Sequence, residues 1–514
     1  MAGAVFGPPP FAFLAYTGVM NGQPTAPSAA IFAEACAHHR AGRLAEAEQL
    51  YRAVLARDPA HADCLHRLGI LAHQCGDSTS GAALIRHAVV LDDSVAAFHN
   101  HLGVVLQAQG RRGEARESYA RALALAPDLA EAHNNLGNLA LDEGDAEQAL
   151  SHFDEAARLA PELAEISYNR GNTLRALARM GEAEAAYRHA IVLQPDHAEA
   201  HVHLGLQLLA AGHFAEGGRE YDWRWRLHPP PSPLRSFTAP EWQGENLAGT
   251  LLIHAEQGLG DTIQFCRFAS MARERCAGIA IEVPPPLRRL LSPLEAIGPV
   301  IARGEALPPF DAHCPLMSLP WRLGVTAETI SPLAPYLAAE PARVARWQAR
   351  LSELCPAGNL RVGIAWQGNP VARIDHGRSI PLSAFAPLAT VPGVTLISLQ
   401  KHHGLEQLAE LPELVTFGDD LDAGPDAFID TAAILRSLDL VIAGDSAVAH
   451  LAGALGRPVW LALQAQPEWR WQAAGTRWYP VMRLFRQGAP GDWPGLFARL
   501  TAELLALAQG WRRP

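Results

Sequence analysis

Leu251-Leu-Ile-His-Ala-Glu-Gln-Gly-Leu-Gly-Asp-Thr-Ile-Gln264 is the stretch on which the fold turns. Leu251 to Ala255 is a short, mostly apolar run, the pattern of a strand buried on both faces. Gly258 and Gly260 then give a roomy turn, and Asp261 stands where a helix should open. A glycine-rich turn from strand into helix lets backbone N–H groups approach a ligand at the positive end of the helix dipole. The same residues fit a plain helix cap at Asp261 equally well, and the local sequence does not choose. The surroundings of the stretch are clearer: a repeat array precedes it and strand–helix alternation comes after it.

In the preceding half, glycines recur at Gly69, Gly103, Gly137, Gly171 and Gly205, each 34 residues after the last. Twelve positions after four of them comes a small residue (Gly81, Ala115, Ala149, Ala183), and sixteen after each a bulky one (Ile85, Tyr119, Phe153, Tyr187, Tyr221). Pro127, Pro161 and Pro195 close three units. Pro59 closes an earlier one in which Ala35 replaces the glycine, and Asp93 stands where a further Pro is expected. Period and pattern are those of the tetratricopeptide repeat. The small residues let two helices approach, the bulky residue fills the gap, and proline stops the second helix. About six units are expected over residues 28–227. The last runs into the aromatic stretch Tyr221-Asp222-Trp223-Arg224-Trp225, which should pack on the next domain.

Composition sets the outer bounds. A chain of 514 residues exceeds one ordinary core, and 18% charged with 49% hydrophobic residues describes a globular protein. A net charge of −11 argues against nucleic-acid binding, which needs a basic surface. Seven scattered cysteines without a CxxC fit a reducing compartment and suggest neither a disulfide framework nor a zinc site. No apolar run reaches the ~18 residues of a membrane span. Residues 1–27 lack the basic start of a signal peptide, so a mobile tail and a cytoplasmic location are expected.

Beyond His228-Pro-Pro-Pro-Ser-Pro233, a stiff linker, apolar runs alternate with helical stretches. Strands are expected at 251–255, 279–283, around Val300, and at 361–366, 394–399, 415–417, 438–443 and 459–463. Helices are expected at 382–388, 428–437 and 447–455. The anticipated organisation is a tail (1–27), a repeat α-solenoid (28–227), a Pro-rich linker (228–240), a first Rossmann-like α/β unit (241–340), a connector (341–358) and a second such unit (359–514). Parallel sheets of this kind bind ligands at the carboxyl ends of their strands. There is no Walker A motif and no complete GxGxxG with a following ribose acid, so ATPase and dehydrogenase chemistry are disfavoured. Asp419-Asp420-Leu-Asp422 reads as a solvated turn rather than a metal motif, and no metal is expected.

Three strand ends carry polar residues that packing does not explain. The first has Gln257, Gly258, Gly260 and Asp261. The second has Gln367, Gly368 and Asn369, followed by His376-Gly-Arg378-Ser379. The third has Gly444, Asp445 and Ser446, with His450 in the helix beyond. Gln400 and Lys401 end a further strand and could touch a base or ribose, or simply lie in a surface loop. Glu468-Trp-Arg470-Trp471 and Trp478-Tyr479 form an aromatic cluster that would cover a nucleotide or lock the last helix onto the sheet. Helix capping for Asp445 and Ser446, a surface position for Arg378 and a core position for His450 remain open alternatives.

Taken together, Gly260-Asp261, Arg378 before Pro381-Leu382, and Gly444-Asp445-Ser446 with His450 resemble lipopolysaccharide heptosyltransferases, which are GT-B enzymes. The resemblance implies Asp261 as catalytic base and Arg378, a Lys in most of that family, as the cation facing the leaving diphosphate. It places Asp445, Ser446 and His450 against a nucleotide-sugar donor, and the strand-end positions of Gln257, Gly258, Gly260, Gln367, Asn369, Ser379 and Gln400 add them to the expected donor site. In the repeats, Asn135 and Asn169 lie one period apart, as do Asn138 and Asn172. They resemble the asparagine ladder of O-linked N-acetylglucosamine transferases, which holds a polypeptide acceptor; solvation of an exposed face explains them as well. Bacterial flagellin glycosyltransferases share the two-part plan, which makes flagellin an expected acceptor. The expected activity is metal-independent, inverting transfer of a sugar to a protein hydroxyl, without a cofactor. A glycolipid acceptor and a non-catalytic scaffold are the alternatives.

Overall fold

The structure is a computed structural model that describes residues 27–330, 335–370, 377–471 and 475–511. The expected N-terminal tail, apart from Pro27, and His376 lie outside the described residues. The chain forms two compact units, residues 1–200 and 201–514.

Helical hairpins fill the first half. They are α1 (Ser28–Arg40) and α2 (Leu44–Arg57), α3 (Ala62–Gln74) and α4 (Ser78–Leu91), α5 (Ala96–Ala108) and α6 (Arg112–Leu125), α7 (Ala130–Asp142) and α8 (Ala146–Leu159), α9 (Ala164–Ala176) and α10 (Met180–Leu193), and α11 (Ala198–Ala211) and α12 (Phe214–Tyr221). The periodic glycines have a steric cause. A Cβ on Gly103 would lie 2.5 Å from the Tyr119 ring, one on Gly137 2.8 Å from Phe153, and one on Gly171 2.6 Å from Tyr187. Each glycine is therefore the socket for the bulky residue sixteen positions on, and that residue is buried. Helices α6, α8 and α10 end at Leu125, Leu159 and Leu193, two residues before the prolines.

The division between compact units falls inside α11 rather than at the proline-rich segment, so the sixth hairpin belongs with the α/β half. A Cβ on Gly218 of α12 would lie 2.1 Å from the Trp321 ring. Arg224, in the 3-10 turn Asp222–Arg226 that comes next, donates from Nε and Nη2 to Glu256 at 3.0 and 2.6 Å. Both side chains are buried, which makes this a desolvated ion pair. Asp222 receives Trp321 Nε1 at 3.0 Å and Arg322 Nη2 at 2.8 Å. The aromatic stretch thus does pack on the α/β half, but its charged members form the joint.

The first α/β unit consists of β1 (Leu247–His254), α13 (Leu259–Phe265), α14 (Ala269–Arg273), β2 (Cys276–Val283), β3 (Val300–Ala302), β4 (Ala312–Pro315), α15 (Leu319–Arg322) and α16 (Ala327–Ile330). Its parallel sheet has the order β3-β2-β1-β4. After α17 (Pro341–Leu354) the second unit runs β5 (Leu360–Ala365), α18 (Ala386–Ala389), β6 (Val394–Ser398), α19 (Ile429–Arg436), β7 (Leu440–Gly444), α20 (Ala447–Ala454), β8 (Val459–Leu463), β9 (Met482–Arg486) and α21 (Trp493–Gly510). Its sheet is also parallel, in the order β6-β5-β7-β8-β9. Burial of every residue of β5, β7 and β8 explains why these strands are apolar apart from Arg361.

Several expected elements differ. Pro387 divides the expected 382–388 helix into a 3-10 turn, Leu382–Phe385, and the short α18. The expected strand at 415–417 reduces to a single bridge between Ile397 and Val415, because a 3-10 turn begins at Gly418. Helix α13 opens at Leu259 with Gly258 as its N-cap, so Asp261 is not the cap. Asp422 is buried rather than solvated. It accepts from Asp430 N and Thr431 N at 2.5 and 3.2 Å and thereby starts α19.

Candidate active site

In each sheet the strand order reverses at one place, between β1 and β4 and between β5 and β7. Connections leave such a point in opposite directions and open a crevice outside the carboxyl ends of the strands. The segments after β1, β5 and β7 carry the three polar clusters expected from sequence. Helices α13 and α20, which succeed β1 and β7, pack against each other. Gly260 permits this approach: a Cβ there would stand 3.2 Å from His450 Cδ2 and 3.4 Å from Ala447 Cα. Its role in the structure is therefore close helix packing, and its φ is not in the left-handed region.

Asp261 is the third residue of α13. One carboxylate oxygen, Oδ2, accepts from Gly258 N at 3.0 Å, one arm of a capping box that glycine cannot reciprocate. The other, Oδ1, accepts from Arg470 Nη2 at 2.5 Å. Arg470 also pairs with Glu468. Burial disfavours the charged guanidinium of Arg470, but Glu468 and Asp261 outweigh it and its pKa is raised. Burial pushes the Glu468 carboxyl up, although Arg470 opposes it.

The second half of the cluster comes from β7 and the segment after β5. Arg378 pairs with Asp445. Burial alone would raise the Asp445 carboxyl; the Arg378 and His450 charges reverse this and leave it below its ordinary value. His450 Nε2 stands 3.7 Å from Asp445 Oδ1, and its Nδ1 is 3.1 Å from the Tyr479 hydroxyl. Burial lowers the His450 pKa to about 4 against the pull of Asp445, so the ring is neutral near pH 7. Ser446 occupies the N-cap position of α20, yet its hydroxyl makes no capping bond, and its Oγ is buried without a partner among the described residues. The capping explanation for Ser446 therefore fails, and a polar atom is left over beside the α20 N-terminus.

Asp261, Gly260, Arg378, Asp445, Ser446 and His450 thus converge. Other expected residues do not join them. Gln257, at φ 56°, donates from Nε2 to the Tyr221 hydroxyl at 3.1 Å, and its N–H goes to Ser232 Oγ at 2.8 Å. Gln400 is a backbone clamp: Oε1 accepts from Trp366 N and Gln367 N at 2.9 and 3.1 Å, while Nε2 donates to Gln367 O and His403 O at 2.8 and 2.9 Å. That fills its capacity and removes it as a ligand contact. Lys401 bonds the carbonyls of Leu421 and Asp422. The Gln367 side-chain oxygen receives Gln407 Nε2 at 2.7 Å, Ser379 Oγ receives Gly368 N at 3.2 Å, and Asn369 is exposed.

Arg470, Glu468 and Tyr479 belong to the cluster although sequence suggested only an aromatic cover there. Nor do the aromatics around them lock the last helix. Trp469, Trp471, Trp478 and Tyr479 lie in the core shared with α13 and α20, whereas α21 packs through Trp493, Leu496, Phe497, Leu500 and Leu504 in a separate one.

In the repeats, Asn135 Nδ2 donates to Asn100 Oδ1 at 3.0 Å and Asn169 Nδ2 to Asn134 Oδ1 at 3.1 Å. The amide ladder is therefore staggered by 35 residues and includes Asn100 and Asn134, which the 34-residue register hides. Asn172 Oδ1 accepts from the Tyr187 hydroxyl at 2.9 Å, a contact within one hairpin, and Asn138 is half-buried.

Comparison with known proteins adds sequence likeness to geometry. Tetratricopeptide-repeat profiles match residues 32–96, 93–162 and 164–197. The profile of Glycosyltransferase family 9 (heptosyltransferase) matches residues 389–466. The chain thus joins tetratricopeptide repeats to a segment similar to glycosyltransferase family 9. That segment contains Asp445, Ser446 and His450 and stops short of Glu468 and Arg470. Protein FlbA of Caulobacter vibrioides is 29% identical over 327 residues, 58% of this chain and 53% of that protein, so the chain spans about half the length of this relative. Similar solved structures include the Cut9–Hcn1 hetero-tetramer of the APC/C, with TM-score 0.37, 18% identity, and coverage of 39% of this chain and 40% of that one. Another is pilF of Pseudomonas aeruginosa, with TM-score 0.35, 20% identity, and coverage of 39% and 90%. In the described residues no helix is long and apolar enough to cross a membrane.

Proposed function

We propose that the protein is a cytoplasmic, GT-B-type glycosyltransferase that moves a sugar from a nucleotide-sugar donor to a hydroxyl of a polypeptide held by the repeats. The observation that carries this reading is the meeting of Asp261, Arg378, Asp445, Ser446 and His450, from three strand ends, beside two reversals of strand order. The family 9 match over 389–466 supports it. Asp261 acts as base, accepting the acceptor proton as its oxygen attacks the anomeric carbon. Arg378 and the α20 N-terminus, with Ser446, stabilise the charge that gathers on the departing diphosphate. Direct displacement by one acceptor oxygen inverts the anomeric centre, and this step needs no cofactor or metal. The staggered amides of Asn135 and Asn169 leave acceptor and donor capacity for a peptide backbone, with Asn138 and Asn172 about one turn further along the same helices.

The test uses the full chain with candidate nucleotide sugars and flagellin as the first acceptor. Asp261→Asn should abolish transfer while retaining donor binding; undiminished turnover would remove Asp261 as base. Replacing Asn135 and Asn169 by Ala should raise KM for the polypeptide and leave donor hydrolysis unchanged. Transfer to a glycolipid that ignores these two changes would overturn the polypeptide assignment.

A further inference from the structure

A hydrogen-bond chain crosses from the first α/β unit to the second behind the candidate site, and none of its tyrosines is used by the proposed chemistry. Buried Arg267, just after α13, donates from Nη2 to the Tyr336 hydroxyl at 2.9 Å. The Tyr336 hydroxyl donates its proton to Ile263 O at 2.9 Å. Its oxygen lies 3.3 Å from the Tyr479 hydroxyl, which in turn is 3.1 Å from His450 Nδ1.

Counting protons along the chain narrows the choice of histidine tautomer. Tyr336 has one hydroxyl proton, and Ile263 takes it. The Tyr479 proton then has two possible destinations, the Tyr336 oxygen or His450 Nδ1. The Tyr336 oxygen already accepts from a guanidinium, which draws electron density from it, and at 3.3 Å it lies beyond ordinary O–H···O range. His450 Nδ1 is closer, and it accepts when the ring proton is on Nε2. On the far side of the ring, Nε2 faces the Asp445 carboxylate at 3.7 Å, a field that favours a proton on Nε2. Arg378, Arg470 and Asp261 are the other charges that act on this ring. With Nδ1 accepting from Tyr479, the single proton of the neutral ring sits on Nε2.

We propose that Tyr479 is a positioning residue that holds His450 in the Nε2–H tautomer, so that His450 serves as a neutral hydrogen-bond donor to the diphosphate of the nucleotide sugar. This deepens the donor-site reading and rests on it. The geometry gives the site an N–H that carries no net charge: Asp445 and Arg378 can remain paired while a ligand oxygen takes the Nε2 proton in a hydrogen bond. Gly260, with His450 Cδ2 3.2 Å from where its Cβ would be, keeps that edge of the ring against α13.

The experiment is a long-range 1H–15N correlation spectrum of the full chain labelled at its 22 histidines, with His450→Gln used to assign the signal. The wild-type protein without ligand should show His450 protonated on Nε2 and bare on Nδ1. Tyr479→Phe should give a mixture of tautomers. Tyr336→Phe removes the rival acceptor and should leave the Nε2–H form intact, which separates positioning from the general loss of a buried hydroxyl. Protonation of His450 on Nδ1 in the wild type would overturn the assignment, and that spectrum alone decides it should Tyr479→Phe fail to fold. A spectrum of Tyr479→Phe identical to the wild type would equally overturn the role of Tyr479. Calorimetric titration with ADP, GDP and UDP comes next, in which the tightest binder should weaken roughly threefold to tenfold in Tyr479→Phe and stay unchanged in Tyr336→Phe. If none of the three binds the wild type, the nucleotide-sugar reading falls and the diphosphate role falls with it, while the tautomer is still judged by the spectra.

Discussion

Replacing Arg224 by Ala tests whether the last helical hairpin is built into the α/β half. Arg224 is 1% exposed and Glu256 2%. The guanidinium makes two bonds to Glu256, one to Asp222 at 2.7 Å and one to Ser318 at 2.9 Å. Without it, among the described residues the Glu256 carboxylate retains only the Met317 N–H, at 3.3 Å, at a position 2% exposed. Loss of one partner from such a pair costs about 3–5 kcal/mol, most of it the charge left behind. The penalty must depend on pH. Burial already pushes the Glu256 carboxyl above its ordinary value despite Arg224, and removing Arg224 leaves burial unopposed. A carboxyl raised in the folded state favours folding fully only below its unfolded value of about 4.3, and that contribution is lost as pH rises through the folded value. The variant should therefore be weakest at neutral and alkaline pH and recover part of its stability as the solution is acidified. Urea unfolding monitored by tryptophan fluorescence reads this unit selectively, because all 12 tryptophans lie at or beyond residue 223. Changing both partners, Arg224→Met with Glu256→Leu, removes the stranded charge and should restore most of the loss. A single-variant cost below about 1 kcal/mol at neutral pH, a cost independent of pH, or a double variant as weak as the two singles summed would refute the reasoning.

Packing and charge at two other places give further expected outcomes. Gly137→Ala forces a Cβ to 2.8 Å from the Phe153 ring and should cost about 1–3 kcal/mol, whereas Gly113→Ala meets nothing within 4 Å inside α6 and should stabilise by about 0.5–1 kcal/mol; far-UV circular dichroism melts check both. Arg378→Ala leaves Asp445 buried beside His450 without its guanidinium, and nucleotide-sugar affinity measured by calorimetry should fall roughly tenfold to a hundredfold, unchanged affinity contradicting the proposed contact.

What sequence reveals here depends on the range of the interaction. The repeats were legible because each glycine and its bulky partner sit sixteen residues apart and recur, so local sequence carries the packing rule. Strands β7 and β8, and the buried parts of β1 and β5, were legible because burial on both faces enforces mostly apolar runs. Strand β9, Met-Arg-Leu-Phe-Arg, escaped because it is an edge strand whose arginines look like surface, and β4 because it is four residues ending in proline. Asp261 stood out in sequence because it closes a glycine-rich turn, but its partner Arg470 lies 209 residues away and has no local signature. Gln400 misled for the opposite reason: a polar residue at a strand end looks like a ligand contact whether it faces a ligand or pins its own backbone.

The placement of the sixth hairpin bears on how such a protein could change what it acts on. Because α12 and the turn after it are fastened to the segment after β1 and to α15, the sixth hairpin goes with the α/β half, and the first five hairpins form the other compact unit. Recombination joining a foreign array at the prolines of 228–233 would strip Glu256 of its counterion and expose Trp321. Joining it upstream of His201 would keep both. Diversification of the array, in nature or in the laboratory, should therefore leave the last hairpin fixed and vary the number and lining of those before it.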